Sequence, residues 1–112
     1  MSDRRGDALR LSDMLRSVEH LNEVLEEGYE PFAKSWMRQS AVIRELEIIG
    51  EAAGALSPEI RKHNPDVGWE RMRGFSSFAK HEYWRVRPEL VWQAVKEMPA
   101  LRELLRTLTT TS

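Results

Sequence analysis

Cysteine is absent from this chain of 112 residues, so disulfides and cysteine-bound zinc are excluded. Long apolar runs are absent too: no stretch approaches the roughly 18 consecutive apolar residues that a membrane-spanning helix needs. The first ten residues are charged and no apolar run follows them, which argues against a secretory signal. We therefore expect a cytoplasmic protein that does not associate with membranes.

The sequence also lacks strand-like alternation and a glycine-rich phosphate loop. Histidine is scarce, with three copies, and none follows a glutamate by three residues; those positions hold Ser17, Ile60 and Phe78. This excludes the Glu-x-x-His pattern of di-iron helical bundles. Glu59 and His63 share a helical spacing of four, but two ligands are too few for a metal site. We therefore expect neither a metal nor a cofactor.

The composition is that of a soluble globular protein, with 41% hydrophobic residues, 31% charged residues and a formal net charge of −1. We expect one domain over residues 1–112, with frayed ends at 1–6 and 108–112. A domain this small has a modest core, so self-association would help it bury apolar surface. Because the total charge is near neutral, nucleic-acid binding must depend on local clusters of charge.

Apolar residues recur at helical spacing along most of the chain, which predicts an all-α, up-and-down bundle of four or five helices. The last helix should begin at Pro88 and kink or restart at Pro99. The other helices are predicted over residues 7–27, 36–56, 58–63 and 69–83. The predicted core residues are Leu11, Met14, Leu15, Val18, Leu21, Leu25, Val42, Leu46, Ile49, Ala53, Leu56, Trp69, Met72, Phe75, Ala79, Leu90, Val91, Ala94, Val95, Met98, Leu101, Leu104, Leu105 and Leu108.

The helix over 36–56 is apolar on two sides, because Ile43, Ile48 and Ala52 widen its stripe. Such a helix is normally buried between neighbours, within one subunit or across a dimer. Gly50 and Gly54 each cost about 1 kcal/mol of helix propensity relative to alanine. Either another backbone packs closely against them or the helix simply tolerates them.

Residues 69–87 are the candidate functional region because they concentrate positive charge around a histidine. A metal-independent ribonuclease needs a general base for the 2′-hydroxyl, a general acid for the leaving 5′-oxygen, and positive charge at the phosphorus. His81 could supply the base, and a dimer could bring a second copy. The alternative is a structural histidine at a helix end. The basic residues of the segment are Arg71, Arg73, Lys80, Arg85 and Arg87, and its acidic residues are Glu70 and Glu82.

Two stretches resemble the HepT-like proteins, the toxin members of the HEPN superfamily. AVIRELEIIGEAAGALSPEIR, residues 41–61, is similar to that family's second helix, and GFSSFAKHEYWRV, residues 74–86, to its active-site helix. Trp69 and Trp92 also fall where the family often has tryptophan, and the similarity covers about residues 8–107. The resemblance implies a homodimeric HEPN bundle that acts as an RNA-cleaving toxin. It also implies a minimal nucleotidyltransferase antitoxin, which attaches AMP to a tyrosine.

The family's motif is an arginine, four intervening residues, a histidine, one residue and a tyrosine. His81 and Tyr83 match it, which implies a catalytic role for His81 and AMP attachment at Tyr83; the alternative for Tyr83 is an aromatic residue closing the bundle end. The arginine position holds Ser76, and the asparagine that commonly follows is replaced by Ser77. Loss of a cation that acts on transition-state charge costs about 100-fold or more. We therefore expect a weak or silent ribonuclease.

Another cation could replace the missing arginine. If the helix continues past His81, Arg85 lies on the same face four residues later. Arg73, Lys80 and Arg87 lie on an adjacent face and are the expected RNA-binding residues. Our hypothesis is that Arg85, or failing that Arg73 or Lys80, supplies the charge in a groove shared by two subunits. The alternative is that these are solvated surface charges.

Ser76 also supports a second interpretation of the whole chain. The protein could be a non-catalytic HEPN dimer that acts as an interaction or nucleotide-binding partner of a nucleotidyltransferase. Both interpretations share the fold and the partner and differ in whether RNA is cleaved.

Overall fold

The computed structural model describes residues 4–81 and 87–111, and within these ranges all of its regular structure is helical. No helix there is both long enough and apolar enough to cross a membrane. The elements are α1 (Arg4–Glu27), α2 (Tyr29–Ala33), α3 (Trp36–Ala55), α4 (Pro58–His63), a 3-10 turn (Pro65–Val67), α5 (Trp69–Lys80), α6 (Pro88–Val95) and α7 (Met98–Thr111). The all-α bundle predicted from the sequence is confirmed.

The helix predicted over 69–83 is shorter than expected, because α5 ends at Lys80. His81 is its C-cap and has an extended backbone, with φ −91° and ψ 129°. The amide of His81 donates to the carbonyl of Phe78 at 3.2 Å, a tight closing bond typical of a helix end. Residues 82–86, which include the rest of the predicted helix, lie outside the described part of the chain.

Proline accounts for the break between α6 and α7. α6 ends at Val95 and α7 begins at Met98, so Pro99 is the second residue of the new helix. A proline has no N–H to donate to the carbonyl four residues earlier, and its ring would clash with that carbonyl. The carbonyl in question belongs to Val95, the last residue of α6. The predicted restart at Pro99 is confirmed.

The core lies around α3, which packs against α1 on one side and α5 on the other, while α1 also packs against α7. The predicted apolar stripes are almost all buried or half-buried within it. Leu90 and Leu104 are the exceptions, with 40% and 39% of their surface exposed. Each lies on one of the two helices that the break before Pro99 separates, Leu90 on α6 and Leu104 on α7.

The closest approach between helices is the crossing of α3 and α5 at Gly50. A Cβ atom added to Gly50 would lie 2.7 Å from the Cβ of Ser76 and 2.9 Å from its Oγ, and closer still to its backbone nitrogen. Such separations are far below van der Waals contact, so only glycine fits there. Gly54 differs, because the nearest atom to an added Cβ is Arg73 Nε at 3.8 Å. Since Gly50 meets Ser76 and Gly54 meets Arg73, the two helices run antiparallel.

Hydrogen bonds from loop residues fix α4 and the start of α5. The buried carboxylate of Asp7 accepts from the amide of Ser57 at 2.9 Å and from its hydroxyl at 2.6 Å, which ties α1 to the residue that precedes α4. Asn64 Nδ2 donates to the carbonyl of Ile60 at 2.9 Å, closing the end of α4. Trp69 Nε1 donates to the carbonyl of Asn64 at 2.8 Å. The turn between α4 and α5 is therefore held in place from both sides.

Replacing Gly50 by alanine tests the helix crossing. We expect Gly50→Ala to lower the free energy of unfolding by about 1–3 kcal/mol, because overpacking against the backbone of α5 outweighs the gain in helix propensity. Gly54→Ala is the matched control. It should leave the free energy of unfolding unchanged or raise it by up to about 1 kcal/mol, since its methyl group meets no backbone. Urea denaturation measures both, and a Gly50→Ala protein as stable as Gly54→Ala would contradict the proposed crossing.

Candidate active site

An open groove of about 440 Å³ lies along the crossing of α3 and α5. Gly50 and Gly54 form its floor on α3, and Ser76 and Ser77 line it on α5. The absence of side chains on the two glycines is what leaves this space between the helices. The groove therefore contains the position at which the family motif has its arginine.

Ser76 is half-buried and faces Gly50 across this crossing. Its hydroxyl donates to the backbone carbonyl of Arg73 at 3.0 Å, one turn earlier in the same helix. The hydroxyl proton is therefore already hydrogen-bonded within the helix, as is common for a serine in a helix interior. Ser76 contributes no charge, and its small size suits the close packing of α3 and α5.

His81 is exposed at the C-terminal end of α5. Its backbone has left the helix, so the helical spacing that would place Arg85 on the same face does not apply to it. Arg85 itself lies outside the described residues, as does Tyr83, so the position of Arg85 relative to His81 stays a prediction. His81 is also not among the residues that line the groove at Ser76. One subunit therefore places the histidine beyond the end of the groove.

Arg73 is the predicted RNA-binding residue that does line the groove. Its Nη1 is 3.5 Å from Glu70 Oε1, and 47% of its side chain is exposed. The Cα atoms of Arg73 and His81 are eight residues apart, roughly 12 Å along a helix axis. Because about two helical turns separate them, Arg73 and His81 do not converge on one phosphate within the chain.

Lys80 immediately precedes His81, and both Lys80 and Arg87 are exposed. Arg87, the residue before α6, has its Nε 3.4 Å from Glu89 Oε1, with 65% of the arginine side chain exposed. Exposed pairs of this kind are worth little and leave the cation available to another anion. Lys80 can therefore attract a phosphate near His81, and Arg87 keeps its charge available at the start of α6.

Arg71 belongs to the basic segment 69–87, but its guanidinium is paired with another part of the same chain. Its Nε donates to Glu97 Oε1 at 3.0 Å and its guanidinium lies 5.2 Å from the ring centroid of Phe75. The hydrogen bonds with Glu97 raise the pKa of Arg71. Arg71 thus joins α5 to the turn between α6 and α7 and does not face the groove.

The sequence analysis named Glu70 as an acidic residue of the segment but missed Glu51. Glu51 and Glu70 both line the groove, so with Arg73 it contains two negative charges and one positive charge. Glu51 lies one residue after Gly50, and that adjacency is the signal that could have placed it there. The groove as a whole therefore attracts a polyanion only weakly.

No group of three or more histidine, aspartate or glutamate side chains lies close enough to hold a metal ion among residues 4–81 and 87–111. Of the histidines in the described chain, His20 pairs with Glu45 between α1 and α3, and His63 Nδ1 lies 2.8 Å from the carbonyl of Glu59. The carbonyl contact of His63 is local to α4. Neither histidine lines the groove at Ser76.

Comparison with known proteins gives one consistent family. The family model for ribonuclease HepT-like proteins matches residues 14–108. A candidate RNase of Methanocaldococcus jannaschii is 36% identical over 88 residues, which cover 78% of this chain and 81% of that protein. The probable ribonuclease HepT of Thermococcus cleftensis is 33% identical over 94 residues, covering 82% and 86%.

A candidate RNase of Caldanaerobacter subterraneus subsp. tengcongensis is 33% identical over 98 residues, covering 86% of this chain and 88% of that protein. No solved structure gives a significant match. The family model covers most of the chain and includes both α3 and α5, the helices that form the groove. The chain therefore belongs to the HepT-like ribonuclease family.

Proposed function

We propose that this protein is the toxin of a toxin–antitoxin pair and that it cleaves RNA without a metal ion, with His81 as its catalytic histidine. The observation that carries the proposal is the exposed His81 at the C-cap of α5, at the histidine position of the family motif. The names of the similar proteins, which describe ribonucleases, support the same class of reaction.

In this mechanism the imidazole of His81 takes the proton from an RNA 2′-hydroxyl. The O2′–phosphorus bond forms and the phosphorus–O5′ bond breaks, which yields a 2′,3′-cyclic phosphate and a 5′-hydroxyl. The leaving O5′ needs a proton, which the protonated His81 of a second subunit supplies. The reaction therefore requires a homodimer that brings two copies of His81 to one phosphodiester.

A homodimer is supported by the apolar side chains that α3 exposes. Trp36 is 74% exposed and Met37 is 64% exposed, which is unusual for side chains of this size. Because α3 and α5 are antiparallel, Trp36 and His81 lie on the same side of the crossing between Gly50 and Ser76. A partner that covers Trp36 and Met37 would therefore approach the end of the bundle that holds His81.

The positive charge for the reacting phosphate comes, in this proposal, from Arg73 of one subunit acting with His81 of the other. Arg73 lies across Gly54 in the groove that the motif arginine would occupy. Its pairing with Glu70 is weak, since 92% of the Glu70 side chain is exposed. Lys80 and Arg87 add attraction for the flanking phosphates. Arg85 stays a candidate for the same role on sequence grounds.

A non-catalytic HEPN dimer that binds a nucleotidyltransferase is the second candidate. The observations that favour it are the serine at position 76, packed against Gly50, and the two carboxylates in the groove. Both reduce the attraction of the groove for an RNA phosphate. In this alternative Tyr83 still accepts AMP, and the protein acts through its partner.

The His81→Ala variant tests catalysis. We expect it to lower kcat/KM for RNA by about 100-fold or more, because the general base is lost. His20→Gln is the control, since His20 lies on α1 and pairs with Glu45 away from the groove. The assay uses labelled RNA in the presence of EDTA, with an all-2′-deoxy strand that should not be cut. Equal cleavage by the parent and His81→Ala would refute the proposal, and a monomeric parent in sedimentation analysis would refute the shared site.

The Ser76→Arg variant tests the missing cation. If position 76 lacks a charge that the reaction uses, Ser76→Arg should raise kcat/KM by about 100-fold. Arg73→Ala should lower kcat/KM in the parent and have a smaller effect in Ser76→Arg, because both cations act on the same phosphate. Arg16→Ala, which removes an equal charge from an exposed pair with Asp13 on α1, away from both grooves, is the control. Arg73→Ala and Arg16→Ala proteins of equal activity would exclude Arg73 as the replacement.

Mass spectrometry of the intact protein tests whether AMP is attached at Tyr83. The chain has two tyrosines, and Tyr29 is half-buried against Phe32 and Trp92. Incubation with a cognate nucleotidyltransferase and ATP should add the mass of at least one adenylyl group to the parent and none to Tyr83→Phe. An adduct that persists in Tyr83→Phe would place the modification elsewhere.

A further inference from the structure

A second groove, of about 540 Å³, lies at the N-terminal end of α5. Arg61 and Lys62 of α4 line it on one side, and Trp69 and Glu70 of α5 line it on the other. It borders the groove at Ser76, because Glu70 lines both. His81 and this second groove are therefore at opposite ends of α5, about 18 Å apart by the rise of a twelve-residue helix.

Arg61 is the unusual residue in the second groove. Its Nε is buried without a hydrogen-bond partner, and no carboxylate pairs with Arg61 among the residues that the structure describes. No carboxylate therefore balances the charge of Arg61 there, and the part of its side chain that lines the groove can meet an anion. Arg102 has a similar Nε, but carboxylate oxygens of Glu19 and Glu103 lie 4.0 and 3.8 Å from it. Arg61 has no such neighbour in the described part of the chain.

The charges of the second groove favour an anion. Arg61 and Lys62 are both positive, and the one carboxylate among the lining residues, Glu70, lies 3.5 Å from Arg73. Trp69 is held by its hydrogen bond to Asn64, so the wall that faces the cations is fixed. Gly68, which precedes α5, offers no side-chain acceptor to the first amides of that helix. The amides at the start of α5 add a modest positive electrostatic potential to the groove, in addition to the charges of Arg61 and Lys62.

We propose that Arg61 and Lys62 form a second phosphate-binding site for single-stranded RNA, one that holds the strand at the end of α5 opposite His81. The inference rests on the proposed ribonuclease function and names how that enzyme would bind a longer substrate. The two carboxylates in the groove at Ser76 make that groove weak for a polyanion. Cations at both of its ends, Lys80 at one and Arg61 and Lys62 at the other, would hold the strand across it.

The site predicts a dependence on RNA length. A dinucleotide has one phosphodiester and cannot contact His81 and Lys62 at once, whereas an RNA of about 12 nucleotides falls within the usual range of single-strand binding sites and can. The test measures binding of the intact protein to both ligands with 2′-O-methyl RNA, which cannot react. Each affinity is determined over a range of salt concentrations.

We expect Lys62→Ala to weaken binding of the longer RNA by about tenfold and to reduce the slope of log K against log salt by about 0.7, the value for one lost phosphate contact on a single strand. Binding of the dinucleotide should not change. Arg61→Gln should act in the same way. Arg16→Ala is the control, because it removes the same charge from an exposed pair with Asp13 on α1, which lines neither groove.

Several outcomes would overturn the inference. If Lys62→Ala and Arg16→Ala weaken binding equally, the effect is one of net charge and the site does not exist. If Lys62→Ala lowers only the melting temperature, the role of Lys62 is to offset the dipole at the end of α4. A parent that binds the longer RNA without either variant weakening it refutes this site alone, whereas a parent that binds no RNA refutes the proposed function as well. Lys62 is exposed, so its variant remains informative even if Arg61→Gln fails to fold.

Discussion

The approach of α3 to α5 at Gly50 and Ser76 is the constraint on which the rest of the structure depends. A Cβ atom on Gly50 would overlap the backbone of α5, so the separation of the two helices is set by the lack of that atom. The close approach lets buried residues of α3 and α5 interdigitate, and the resulting van der Waals attraction offsets the low helix propensity of glycine. It also leaves an open groove above Gly54. The close approach of α3 and α5 at Gly50 therefore determines both the packing of the bundle and the shape of the candidate site.

The same constraint bears on the residue at position 76. Its side chain starts at the crossing, where the neighbouring helix allows no adjustment of the backbone, and serine fits there with its hydroxyl bonded to the carbonyl of Arg73. A longer side chain would have to leave along the groove. Position 76 thus holds a side chain that suits the close packing of α3 and α5 and lacks the charge that the family motif has there. Any activity depends on how well cations from other positions reach the phosphate.

The distribution of charge around α5 explains why the number of basic residues in a segment is a poor guide to a binding surface. Arg71 is fixed to Glu97, 26 residues away in sequence, and serves the fold. Arg73 shares the groove with two glutamates, whereas Lys80 lies next to His81. Arg61 and Lys62 lie outside the basic segment 69–87, yet they line the groove at the start of α5. The positive charge is therefore concentrated at the ends of this surface.

The sequence by itself determined the helices, most of the core and the lack of metal-ligand spacing, because helical periodicity and the effects of proline and glycine act over a few residues. It also identified the family from the residues of α3 and α5. It left open whether Gly50 or Gly54 meets another backbone, and it placed the end of α5 three residues too late. Only the tertiary structure decided which arginines are paired, which carboxylates enter the groove and which glycine makes the contact. Those properties depend on the distance between residues that are far apart in the chain, and no local pattern encodes that distance.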